Sequence, residues 1–156
     1  DMKMDLKTSG LDETLAMLEK VTNIEDVQKV AIYKGAGVVA DIMRDEVRTL
    51  KTSDNYARSK MRYCYPEDKQ ALLDGLGVAV MRSDGDSVNT KVGFDGYFTG
   101  KNGDKIPLPM VANSINAGTS FMYKQPFIQK TMSKANKKAV AEMQDALDEQ
   151  IDKITK

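Results

Sequence analysis

The residues of this chain that could do chemistry fall into a few clusters, and each has a plainer use. Cys64 stands in Arg62-Tyr63-Cys64-Tyr65, where a neighbouring arginine could lower the thiol pKa and release a thiolate nucleophile. A working thiolate needs a base or charge partner beside it, and the chain contains no histidine. Cys64 is therefore expected to be a small, half-buried side chain. The serines and threonines lack a base for the same reason, and no spacing marks out a lysine base or a carboxylate pair. Gly35-Ala36-Gly37-Val38-Val39-Ala40 fits the letters of a dinucleotide fingerprint. That motif binds pyrophosphate only where a strand turns into a helix N-terminus with free amides. Here the preceding residues continue a helical stripe, so close helix packing is the expectation. Asp84-Gly85-Asp86 resembles the start of a calcium loop, but Val88 stands where a third oxygen ligand belongs. A hairpin turn accounts for the same residues. No catalytic, cofactor-binding or metal-ligating residue is expected.

Composition narrows the classes further. At 156 residues the chain fits one domain, over residues 1–156, with residues 1–8 expected to be flexible. Apolar residues at 41% and charged ones at 29% fit a globular core rather than disorder. The 23 basic and 23 acidic side chains cancel, which removes the usual electrostatic argument for nucleic acid or an anionic membrane as partner. A near-neutral surface also repels its own copies weakly. A single cysteine excludes an intrachain disulfide and a cysteine-based zinc cluster, and a reducing, cytoplasmic site of folding is the simpler reading. No apolar run reaches the ~20 residues that span a bilayer. The chain begins with Asp1 rather than Met, which points to a trimmed or engineered start.

The pattern along the chain predicts an α+β fold, with long amphipathic helices packed on a small antiparallel β-hairpin sheet. Ser9 and Asp12 resemble a capping pair, and Leu11, Leu15 and Leu18 then share one helical face over residues 9–21. A long helix follows over residues 24–50, with Ile24, Val27, Ala31, Gly35, Val38 and Ile42 on its stripe. Gly35 and Gly37 each cost a helix interior about 1 kcal/mol against alanine, which another closely packed backbone would justify. Residues 51–70 read as polar and irregular, and Ala71 to Leu76 as a short apolar bridge. Leu76, Val78 and Val80 alternate, Asp84-Gly85 turns, and Val88, Thr90, Val92 and Phe94 alternate back, which is a hairpin signal. A second hairpin is expected around Asn102-Gly103, with Tyr97, Phe98 and Thr99 against Lys105 and Ile106. Pro107 and Pro109 are expected to open a loop as far as Pro126.

The last helix, over residues 127–154, carries Ile128, Met132, Ala135, Ala139, Met143, Leu147, Ile151 and Ile154 on its stripe. Met132 and Met143 are expected to fill core rather than form a plastic binding surface. Its charges are segregated. Lys124, Lys130, Lys134, Lys137 and Lys138 lie at or near its start, and Glu142, Asp145, Asp148, Glu149 and Asp152 in its second half. The helix dipole favours the opposite arrangement. Either the blocks are a solvated face, supported by pairs such as Glu149 with Lys153, or they meet opposite blocks on neighbouring copies. In the second case head-to-tail contacts would close into a ring.

A family resemblance covers most of the chain: it begins at Gly10-Leu11-Asp12-Glu13-Thr14-Leu15, continues from Ala36 to Asp41, and is clearest in two short segments near the C-terminus. Asn116-Ala117-Gly118-Thr119 stands where the family has glutamate-phenylalanine-glycine-threonine. Gln125-Pro126-Phe127-Ile128 matches a proline-phenylalanine-leucine start to the final helix. Together they resemble the tail-component, or tail-completion, proteins of long-tailed bacteriophages and prophages, of which one from phage Hong Kong ninety-seven is typical. The sequence departs from that family over residues 55–75, and at Asn116 and Ala117. The resemblance implies a non-enzymatic virion protein at the head–tail junction (the neck), assembled in the bacterial cytoplasm. Its partners would be copies of itself in a hexameric or dodecameric ring and adjoining neck and tail proteins. DNA would only pass through the lumen, and no membrane or cofactor would be involved. The alternative is a free-standing bacterial protein-binding or regulatory domain with one protein partner. Pro126 suits the first turn of a helix, so Phe127 is expected to anchor the last helix on the sheet.

Overall fold

The computed structural model describes residues 24–53, 60–85 and 87–155. The helix expected over residues 9–21 and the flexible start expected over residues 1–8 lie outside the described residues. The first described helix, α1, is Ile24–Arg48, and it ends where its apolar pattern does. The second, α2, is Pro66–Gly75. Short strands follow: β1 (Leu76–Val78), β2 (Arg82–Ser83), β3 (Val88–Asn89), β4 (Val92–Phe94), β5 (Tyr97–Thr99) and β6 (Lys105–Pro107). Helix α3 is Leu108–Ala117, and the last helix, α4, is Phe127–Thr155. The fold is α+β, with long helices and small antiparallel two-stranded sheets.

Strands β1–β4 form one hairpin in two pieces. β1 pairs with β4, with Leu76 opposite Phe94, and β2 pairs with β3, with Ser83 opposite Val88. Between the pieces the buried Thr90 hydroxyl donates to the Ala79 carbonyl at 2.7 Å, replacing a ladder bond. Val80, expected on the inward face, lies in this break and is exposed. The turn at Asp84-Gly85 closes with the Asp84 amide donating to the Ser87 carbonyl at 2.9 Å. The second hairpin pairs β5 with β6 in the expected place, Phe98 opposite Ile106.

Helices α1 and α4 pack side by side and antiparallel. Val27, Ala31 and Ile32 meet Met143, Ala146 and Leu147 at one end. In the middle Ala36 and Ala40 lie against Ala135 and Ala139, small side chains that allow the helix axes to approach closely. At the other end Met43, Val47 and Leu50 join Leu72, Phe94, Leu108, Ile115 and Phe127. The buried arc of α1 is wider than a single stripe because α4 covers one side and the sheet another. Val38 and Ile42 therefore sit half-buried at its edge, while Val39 and Met43 take the centre. Phe127 anchors α4 as expected, its ring meeting that of Phe94 on β4 edge-on at 6.1 Å.

Three expectations are corrected. Residues 51–70 are not irregular throughout, because α2 begins at Pro66. Residues 107–126 are not one loop, because α3 occupies half of them. In both helices the proline lies in the first turn, where its missing N–H has no intrahelical partner to lose. Gly37 has no neighbour within 4 Å of an added Cβ, so close backbone packing does not explain it. Gly75 does have such a reason, since a Cβ there would lie 2.6 Å from the Asp95 carbonyl oxygen.

Candidate functional site

The segment after α1 is a strap held by backbone contacts. Cys64 bridges to Thr52, and Arg62 bridges to Met122, so residues 61–65 lie between the end of α1 and the 119–123 segment. The Arg62 amide donates to the Phe121 carbonyl at 3.0 Å, and the Tyr123 amide donates to the Arg62 carbonyl at 2.9 Å. Cys64 points inward and is fully buried, not half-buried as expected. Burial first, and the Asp68 charge second, push its thiol pKa from 9.0 up to about 11. Its sulfur is 3.4 Å from the Lys51 carbonyl. A protonated thiol held inside the core is a poor nucleophile.

The strap also fixes an arginine between two rings. The Arg62 guanidinium lies 3.9 Å from the Tyr65 ring centre and 5.5 Å from that of Phe121. This clamp forms one wall of an open groove of about 710 Å3. Phe98 and Ile106 of the second hairpin, Met110 and Val111 of α3, and Phe121 and Met122 complete its apolar lining. Met110 and Phe121 are more than half exposed, at 60% and 51%. Glu67, Asp68 and Lys101 stand on the polar parts of its wall. Asp68 is buried and accepts the Tyr65 amide at 3.0 Å, capping α2. Burial raises its pKa, and the Tyr65 hydrogen bond acts in the opposite sense.

The lining of the groove is mostly apolar. Among the described residues no three histidine, cysteine, aspartate or glutamate side chains come together to hold a metal ion. Residues 35–40 lie in the middle of α1, where the amides serve the helix itself. No helix of the described residues is long and apolar enough to cross a membrane. The groove itself was not read from the sequence. Alternation is visible only in Phe121-Met122-Tyr123, whose partner segment around Arg62 lies 60 residues away in the chain.

Behind the groove the two segments quoted for the family resemblance meet in one corner. The Asn116 side-chain oxygen accepts the Ile128 amide at 3.0 Å, satisfying a donor in the first turn of α4. The Gln125 amide donates to the Ile115 carbonyl at 2.9 Å. Gln125 also clamps the chain after α1, accepting from the Lys51 amide at 2.8 Å and donating to its carbonyl at 3.0 Å. Gly118 closes α3 at φ 77, and a Cβ there would press on the Lys124 backbone.

A second exposed surface runs along α4. Lys130, Lys137, Lys138, Glu142, Asp145, Asp148, Glu149 and Asp152 are all exposed. The Glu149–Lys153 pair expected there is not formed within ion-pair distance. Met132, expected in the core, is instead 45% exposed. Lys134 reaches across to the buried carboxylate of Glu46 on α1. No family model matches the chain, and neither curated proteins nor solved structures contain a match to it.

Proposed function

We propose that the chain is a non-enzymatic structural subunit of a tailed phage or prophage particle, working in a ring at the junction of head and tail. The observation that carries this reading is the groove, an open apolar surface built by Phe98, Ile106, Met110, Val111, Phe121 and Met122. Monomeric proteins seldom leave such a surface uncovered, and a protein neighbour is its natural occupant. The identity of the particle rests on the resemblance at residues 116–119 and 125–128.

In the ring, a neighbouring copy or an adjoining neck protein fills the groove. On this reading the same neighbour also meets the hairpin tip, which is exposed over residues 101–104 and borders the groove. The subunit's work is mechanical. The α1–α4 pair is the stiff member, and the groove is the joint. Zero net charge suits a lumen through which DNA must slide without being gripped.

Negative-stain electron microscopy of the purified chain tests this. Rings are expected from the parent protein and should be lost in Phe121→Asp, with circular dichroism unchanged. Single compact particles under all conditions, or rings indifferent to Phe121→Asp, would overturn the reading. A lone molecule carrying one bound protein partner would favour a free-standing regulatory domain instead.

A further inference from the structure

The face of α4 turned away from the core carries a pattern that ordinary solvation does not require. Lys130, Lys134, Lys137, Ala141, Asp145, Asp148 and Asp152 are all exposed. At about 100° per residue they fall within an arc of about 80°. That arc lies opposite the buried Ala135, Ala139 and Met143. From Ala141 the steps outward are four, three and four residues in each direction. Reading the stripe from either end gives the same spacing with the sign of every charge inverted.

Within one molecule this order is unfavourable. Like charges stand three and four residues apart on both halves, and such pairs repel. The lysine block lies at the positive end of the helix dipole. Among the described residues Lys130, Lys137, Asp145 and Asp152 have no ion-pair partner. Asp148 accepts from the Gln144 amide at 2.9 Å, and Lys134 is shared with Glu46.

We infer that this face is the contact between two copies of the chain, their α4 helices antiparallel about a two-fold axis through Ala141. Lys130 then meets Asp152 of the second copy, Lys134 meets Asp148, and Lys137 meets Asp145, each pair occurring twice. The small Ala141 side chain at the axis allows the helices to approach to the usual packing distance of about 8–10 Å. A parallel, in-register pair would set like charge on like. A parallel pair staggered by half a helix would match one block of each copy and leave the other bare. Only the antiparallel arrangement satisfies every position, and it closes as a symmetric dimer. Exposed charges set register more than affinity, so the contact weakens with salt. Screening shortens from about 10 Å at 0.1 M to about 3 Å at 1 M. The inference uses none of the groove residues and holds whether or not the particle reading does.

Oxidative cross-linking of the intact chain carrying Ala141→Cys tests it, since Cys64 is buried and does not compete. A dimer joined by a disulfide between the two introduced thiols is expected at low salt, falling several-fold near 1 M salt. A Gln129→Cys control should give little dimer. Adding Lys130→Glu and Lys137→Glu to the Ala141→Cys chain should abolish the dimer while sparing the Lys134–Glu46 contact. Mixing that variant with one carrying Ala141→Cys, Asp145→Lys and Asp152→Lys should restore it as a mixed pair, which also shows that both variants fold. No dimer at low salt, equal cross-linking at positions 129 and 141, or a dimer untouched by charge reversal would each overturn the inference.

Discussion

Helices α1 and α4 lie side by side, have similar lengths, and bury comparable apolar faces, yet they treat their charges in opposite ways. In α1, Lys29 pairs with Glu25 at 2.8 Å, Arg44 with Asp41 at 2.9 Å, and Arg48 with Asp45 at 3.2 Å. Acids occupy its first turn and a base its last, in agreement with the helix dipole. In α4 no acid stands in the first turn, and the charges are sorted into blocks. Its one ion pair among the described residues, Lys134 with Glu46, runs to α1 rather than along itself. The contrast teaches that α1 pairs its charges along itself, while α4 is held by its inner face and leaves Lys130, Lys137, Asp145 and Asp152 without ion-pair partners among the described residues.

The contrast can be broken most severely at the start of α4. Phe127→Ala should lower unfolding free energy by about 3–5 kcal/mol, measured by urea denaturation, because the ring is buried against Phe94. A change below about 1 kcal/mol would show that α4 is not anchored there. The next effect lies beneath the strap. The native Cys64 pKa is raised from 9.0 to about 11. Its contribution to stability is therefore fully present below pH 9.0 and is lost as pH rises through about 11. The difference in urea midpoint between the parent and Cys64→Ala should change across that window, and Ellman's reagent should label the parent only on unfolding. Rapid labelling of the folded chain at neutral pH would contradict this.

Two lysines of α4 sharpen the comparison further. Lys134→Ala removes the partner of a buried carboxylate and should cost about 1.5 kcal/mol. Lys137→Ala removes no ion pair among the described residues, so the monomer should stay within about 0.5 kcal/mol of the parent. Equal losses would mean that the outer lysines are tied down as well. An effect of the opposite sign belongs to α1. Gly37→Ala should raise stability by about 0.5–1 kcal/mol, since nothing lies within 4 Å of the added methyl. Destabilisation would mean that the space is used by something that packs on α1.

Periodicity made the long helices legible, since one buried face repeated over 25 or more residues is hard to mistake. Both hairpins were legible from alternation around Asp84-Gly85 and Asn102-Gly103. The short helices α2 and α3 were hidden because Pro66, Pro107 and Pro109 read as breaks, whereas each stands at or beside a helix start. The groove was hidden for a different reason. Its wall is made by Arg62, Tyr65 and Phe121, which approach one another only after two distant ribbons pair, and no local spacing records that. Sorting of charge along α4 was visible in the sequence. That the blocks lie on the outward face, with few partners inside the molecule, required the packing.

The central claim is that this molecule's outer surfaces are made to meet other copies of itself. Light scattering coupled to size-exclusion chromatography tests it directly, using the full chain at about 0.1 M and about 1 M salt, where screening differs most. The account predicts a mass of at least two chains at the lower salt, decreasing as salt is raised. A mass of one chain at both, across the accessible concentration range, would contradict it.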